Sequence, residues 1–393
     1  MTGPRVLIAG ASIAGPALAH WLARYGAEVT VVERAPGLRP GGQAVDARGV
    51  AREVIRRMGL DEAVRAARTE TAGAQFVDED GSVLQTFSAD DDGGDGFIAD
   101  IEILRGDLSQ VLVDATRDRV EYLFGNRITA LAQDDDGVDI TLAGGGPNRR
   151  FDLVIGADGL HSGLRALAFG PHDRYLRHLG HAMAFYNVPN EFGLDRWLLD
   201  CVVPGRSAGL RPIRDAALGM ALFSFAATEA ELASREPDAQ KALLRAKMAG
   251  LGWLTPRILA HADAADDFYL DAVAQVELDT WSTGRVALLG DAAFCSSPMS
   301  GQGTSLALVG AYVLAGELDA ADWRPAPAFA AYERLLRPMV EANQQVGQWN
   351  AASRTVPAPG EPPATSPEDW DMAVIERAIN GIDLPDYPEG EPS

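Results

Sequence analysis

Two glycines, Gly10 and Gly15, flank the small Ser12 where a short apolar run, Val6–Ala9, meets a stretch of helix formers that continues through Leu22. Residues of these types at this spacing bind phosphate. Gly10 permits a tight turn, and Gly15 lets the following helix pack close to the strand. The helix N-terminal amides, those of Ile13 and Ala14 among them, then face a pyrophosphate. Ser12 stands where the fingerprint usually has its middle glycine and is small enough for a phosphate to approach. A second apolar run, Glu28–Val32, leads to Glu33, 18 residues past Gly15 (33 − 15). That is near the offset of roughly 20 at which a carboxylate grips an adenosine ribose. Arg34 could lie over the adenine or the phosphates, or could be solvated surface. Without a ligand the same stretch would be a glycine turn in an α/β sheet.

The strand-then-glycine plan recurs twice. Leu153–Ile155 runs into Gly156-Ala-Asp158-Gly159, followed by His161, Ser162 and Arg165. Val286–Leu289 runs into Gly290-Asp291, then Pro298, Met299 and Gly301-Gln302-Gly303, with a helix predicted from near Gly303. Arg105 heads a helical face made of Leu104, Leu108, Val111 and Leu112.

The whole chain bounds what such a site serves. Its 393 residues can hold two domains and a large core. The net charge of −22 argues against nucleic acid and anionic membranes, since both would be repelled. A phosphate-bearing ligand must therefore be held by local arginines and backbone amides. The two cysteines, Cys201 and Cys295, show no metal spacing, and a reducing cytoplasm fits best. No apolar run is long enough for a spanning helix, and the N-terminus reads as strand and helix, not as a secretion signal. The chain is expected to be a monomer or a homodimer.

Between these junctions, residues 36–50 read as a glycine-rich loop and Val50–Met58 as a helix stopped by Gly59. Residues 72–88 read as a hairpin turning at Asp80-Gly81, Asp90–Asp95 as a solvated acidic loop, and Ile101–Val113 as a helix. Residues 120–155 read as strands with turns at Asp134–Gly137 and Gly144–Pro147. From about 175 to 280 the pattern is an antiparallel sheet, with strands at His181–Val188, Trp197–Val203, Ala208–Pro212 and Leu218–Ala226. A helix is expected over 229–250 and another over Ala326–Ala352. A proline-rich linker then leads to a short helix around 367–379.

Taken in order, the three glycine-bearing junctions and the arginine-headed helix resemble the single-component FAD monooxygenases similar to para-hydroxybenzoate hydroxylase, most of all the shorter, tetracycline-modifying type. The resemblance spans about residues 5–350. It implies an α/β fold: a Rossmann-like FAD-binding domain (1–70, 102–174 and 284–324) with an inserted antiparallel-sheet substrate domain (71–101 and 175–283). A long C-terminal bridging helix (325–354) and a proline-rich linker with a short helical tail (355–393) complete it. FAD would be held by Gly10, Ser12, Ile13, Ala14, Gly15, Glu33, Arg34, Arg105, Asp158, Asp291, Pro298, Gly301, Gln302 and Gly303.

Within that set, Asp291 would accept hydrogen bonds from the ribityl hydroxyls, or else cap a helix. The amides of Gly301–Gly303 would face the flavin pyrimidine carbonyl. Arg105 would neutralise pyrophosphate, and Asp158 would help bind FAD or simply cap its turn. Phe294 and Ser305 replace a histidine and an asparagine common in the family.

The implied chemistry is NADH- or NADPH-driven reduction of FAD, addition of O2 to give a flavin hydroperoxide, and hydroxylation of a planar aromatic or polyketide-like substrate. Phe185, Tyr186, Phe223, Phe225, Pro298 and Met299 are the candidates to line its pocket. No side chain is singled out as a catalytic acid, base or nucleophile, and no metal is implied. The competing readings are an oxidase or dehydrogenase on the same scaffold, and a flavin- or ligand-binding protein without turnover.

Overall fold

A computed structural model of the protein describes residues 3–39, 41–89, 98–145, 147–355 and 370–388. The acidic stretch Asp90–Asp95, the proline-rich stretch 356–369 and residue 146 of the Gly144–Pro147 turn lie outside the described residues.

Strands with unbroken apolar runs bury both faces and so form a parallel sheet. Val6, Leu7 and Ile8 are fully buried, as are Val154, Ile155, Val286, Ala287 and Leu288. Their six-stranded sheet runs in the order Ser282–Thr283, Val286–Leu288, Leu153–Gly156, Arg5–Ala9, Glu28–Glu33, Val120–Phe124. All neighbours pair parallel except the Ser282–Thr283 edge. Helices Ala14–Arg24 and Gly303–Ala320 pack on it and on each other, and the second of them is buried along almost its whole length. This is the Rossmann-like FAD-binding architecture that the sequence implied.

The second sheet has seven strands, in the order Tyr269–Val276, Leu176–Pro189, Leu218–Ala226, Arg206–Pro212, Trp197–Val203, Gly73–Val77, Val83–Ser88. Its pairs are antiparallel apart from Trp197–Val203 with Gly73–Val77. One face packs on helices Pro237–Met248 and Thr255–Ala260 through Ala182, Ala184, Val188, Leu244 and Ile258. The other face turns toward the first sheet. There His161 Nε2 lies 2.7 Å from Asp271 Oδ2, and the Gln275 side-chain amide donates to Ser296 O at 3.1 Å. The 30-residue helix Pro325–Arg354 spans both units: its Tyr332 hydroxyl donates to Leu288 O, and its Ala351 O lies 3.0 Å from His181 Nε2.

Several elements differ from the sequence reading. The glycine-rich loop contains a strand, Ala44–Ala47, paired antiparallel with Ile101–Leu104, so the helix expected over Ile101–Val113 starts only at Arg105. The helix expected over 229–250 spans Pro237–Met248. The C-terminal helix spans Met372–Asn380, capped by the Asp371 carboxylate. Among the described residues no helix is long and apolar enough to cross a membrane, and no His/Cys/Asp/Glu group could hold a metal ion.

Candidate active site

Parallel pairing brings the three junctions together. Ala9 pairs with Gly156, and Gly156 with Leu288, so the chain leaves three adjacent strands at one edge of the sheet. Ligands bind at that carboxyl edge in open α/β sheets. The contacts there are close. Gly10 has φ +107°, and a Cβ on it would sit 2.4 Å from Ala157 O. A Cβ on Gly15 would sit 1.9 Å from Gly10 O, and one on Gly290 3.1 Å from the Ala14 Cβ. Glycine at 10 and 15 is therefore demanded by backbone against backbone.

Side chains fasten the turns. The Glu33 carboxylate accepts the Ala11 N–H at 3.0 Å and the Ala35 N–H at 2.8 Å, which fixes it beside the first turn. Arg34 is exposed. Ser12 Oγ accepts from Arg105 Nε at 3.0 Å, so the residue in place of the middle glycine anchors the cation expected at the pyrophosphate. Asp158 does cap its own turn: it accepts from the Ser162 hydroxyl and, at 3.1 Å, from the Leu164 N–H.

Arg165, fully buried, ties the second junction to the third. It donates to Leu160 O at 2.6 Å and to Ala292 O at 2.8 Å. Asp291 is exposed at the end of the third strand, with protein close around it. That enclosure pushes its carboxyl above the usual range, while the Arg105 guanidinium pulls it back. Beyond it, the Asn350 side chain of the long helix donates to Met299 O at 2.9 Å. Gly301 (φ +70°) then turns the chain into the helix that starts at Gly303.

The FAD binding domain family matches residues 4–345 of this sequence. The chain belongs to that family. An uncharacterized protein of Mycobacterium tuberculosis is 44% identical over 383 residues, covering 97% of this chain and 99% of its own length. A flavin-dependent monooxygenase of Legionella longbeachae is 37% identical over 391 residues, covering 98% of each chain. The crystal structure of the tetracycline destructase Tet(55) superposes with a TM-score of 0.86 at 37% identity, covering 98% of this chain and 99% of that one. The chain is an FAD-dependent monooxygenase.

Its residues fit the cofactor of the FAD binding domain family. Gly10 and Gly15 keep side chains out of the first turn, and Glu33, Arg105 and Asp291 provide one cation and two carboxylates about the strand ends. Buried Gln302 leaves its side-chain oxygen without a partner among the described residues, at the entrance to the Gly303 helix.

The pocket candidates divide by face. Successive strand residues point to opposite faces. Tyr186, Phe223 and Phe225 are at most 1% exposed and belong to the core under the two helices, where the Tyr186 hydroxyl donates to Ile258 O. They are corrected to core residues. Phe185 points to the other face, half-buried, and stacks on Tyr269 with ring centroids 6.1 Å apart. Both faces of this sheet carry aromatic rings, so aromatic content does not reveal which one holds a ligand. Pro298 and Met299 sit in the turn before Gly301, the former exposed.

The sequence reading passed over the buried pair Glu102–Arg211. Its charges lie 2.6 Å apart, and the Thr69 and Thr71 hydroxyls donate to the same carboxylate. The pair bolts the seven-stranded sheet to the strand before Arg105. An acidic residue inside the apolar run Ile101–Leu104 was the available signal.

Proposed function

We propose that the chain takes electrons from NADH or NADPH and inserts one oxygen atom of O2 into a planar aromatic or polyketide-like substrate held between the cofactor cradle and the open face of the seven-stranded sheet. The observation that carries this reading is the meeting of three strand-end junctions opposite that face. FAD, when bound, supplies the electron storage and the activation of O2. The chain does the rest. Backbone amides of the first turn, from Gly10 to Gly15, hold the pyrophosphate with Arg105, and Ser12 orients that arginine. Glu33 and Asp291 accept hydrogen bonds from the sugar-like hydroxyls. The Gly301–Gly303 amides and the N-terminal dipole end of the following helix stabilise negative charge on the ring. Phe185, Pro298 and Met299 supply apolar walls that exclude water.

Glu33→Ala and Asp291→Ala should each weaken FAD retention by roughly 1.5–3 kcal/mol, the worth of a hydrogen bond to a charged acceptor. Glu33→Ala also frees the Ala11 and Ala35 amides, so its loss should be the greater of the two. Equilibrium dialysis of released flavin measures both, and parent-like affinity in the pair rules out these assignments.

The activity is tested by NAD(P)H oxidation against a panel of phenols and polyketides, with tetracycline included because a relative's structure carries that name. Hydroxylated product carrying label from 18O2 is expected. Product without label supports the oxidase reading, and FAD that NAD(P)H cannot bleach supports a binding protein.

A further inference from the structure

The face of the seven-stranded sheet that looks at the cradle carries one row of directly opposed residues: Tyr269, Phe185, Leu222, Gly209, Asp200 and Phe76. Neighbouring strands lie about 4.8 Å apart, so six of them span about 24 Å. The rows on either side are more buried, apart from Val202 at 38% exposure. On one side Ser207 and Ser224 are buried, and His181 meets the end of the long helix. On the other, Met220 and Arg211 are buried, the latter against Glu102. Between them Phe185, Leu222, Asp200 and Phe76 stay partly exposed. The row is a partly accessible apolar strip of this face.

At its centre Gly209, itself buried, leaves room for the Asp200 side chain. A Cβ there would stand 3.0 Å from Asp200 Oδ1. That oxygen is itself buried and has no hydrogen-bond partner among the described residues. The charged group facing this carboxyl is Arg354, from the end of the long helix. The neighbouring strands offer the Ser207 hydroxyl, Gly209 and Phe76. Burial pushes the carboxyl up to about 6, against the pull of Arg354 and Ser207. An acceptor left without a donor beside an apolar strip is unfavourable until a ligand brings one.

We infer that Asp200 accepts a hydrogen bond from a phenolic or enolic hydroxyl at one end of a planar substrate lying along Leu222 and Gly209, and thereby selects substrates that carry such a group. The inference rests on the reading above that this face holds the substrate, and it adds the residue that sets orientation.

The test titrates FAD-loaded protein with 1-naphthol and with 1-methoxynaphthalene, following the visible flavin spectrum from about pH 5 to about pH 8, where a phenolic hydroxyl stays protonated. In the parent, 1-naphthol should bind about tenfold more tightly as pH rises through about 6, because the ionised carboxyl is the stronger acceptor. The methoxy compound, with no proton to donate, should show no such rise. Asp200→Asn should abolish the rise. Arg354→Gln, which removes a charge that favours ionisation, should move its midpoint upward.

A rise that survives in Asp200→Asn, the same rise with 1-methoxynaphthalene, or a parent that binds no naphthol at any pH overturns the inference. NAD(P)H bleaching measured on the same samples keeps the two readings apart. A parent that shows the naphthol rise but cannot be bleached overturns the monooxygenase reading and leaves Asp200 in place.

Discussion

Gly10→Ala should purify colourless. Two costs fall on that one methyl group. At φ +107° any L side chain is strained, by about 1–3 kcal/mol. The added Cβ would also lie 2.4 Å from Ala157 O and 3.0 Å from the Asp158 Cα, both backbone of the second junction. Backbone cannot swing aside as a side-chain tip can, so the two junctions must part, and the crevice between them opens. FAD affinity should drop by at least about a hundredfold, which corresponds to about 2.7 kcal/mol. Gly59→Ala is the matched control. Gly59 also has positive φ, +77°, but nothing lies within 4 Å of its added Cβ. It should cost about 1 kcal/mol of stability and keep the yellow colour. Gly10→Ala protein that is yellow and binds FAD like the parent would remove the first turn from the site.

Arg165→Met should lower the stability of the protein by about 1–3 kcal/mol, read from the urea midpoint. Methionine fills similar volume but donates nothing, so Leu160 O and Ala292 O both lose a buried charged donor. The buried Ala292 O left unpaired costs about 1–3 kcal/mol, whereas the part-buried Leu160 O can turn to water. Arg165→Lys should recover only part of this, because a single ammonium cannot reach both carbonyls with the planar fork that a guanidinium offers. FAD affinity should fall in parallel, since Ala292 adjoins Asp291 and Leu160 follows the Asp158 turn. A methionine variant with the parent's midpoint would show that this bridge holds nothing.

What could be read in advance follows from the range of the forces involved. The strand-turn-helix junctions were legible because each is written locally: an apolar run, a glycine that only a positive φ explains, then helix formers. The helix Val50–Met58 and its stop at Gly59 were legible for the same reason. The strand Ala44–Ala47 was not, because its partner Ile101–Leu104 lies more than fifty residues away and glycines surround it.

The pocket side chains were half legible. Alternation along Leu176–Pro189 shows that Phe185 and Tyr186 face opposite ways, but which side looks at the cradle depends on helices 237–248 and 255–260, packed from later in the chain. Ser12 looked like a tolerated departure from glycine. Its bond to Arg105 makes it a tether, and only folding brings those two together. Asp200 drew no notice at all, since a lone aspartate in a strand carries no spacing to read.

The cradle is also discontinuous in sequence, and that bears on how the protein is born. Gly10 leaves the ribosome early, whereas Asp291 and Gly301 come late. A nascent chain therefore has no complete proposed flavin site until the segment around Gly301 has been made. The apolar strand Leu153–Gly156 must wait meanwhile for its partner Val286–Leu288, and the helix Ala14–Arg24 for the buried helix Gly303–Ala320. Cofactor can therefore support folding only once that segment has been made, and shortage of riboflavin should show itself as aggregation of chains that already carry it, not as loss of shorter nascent chains.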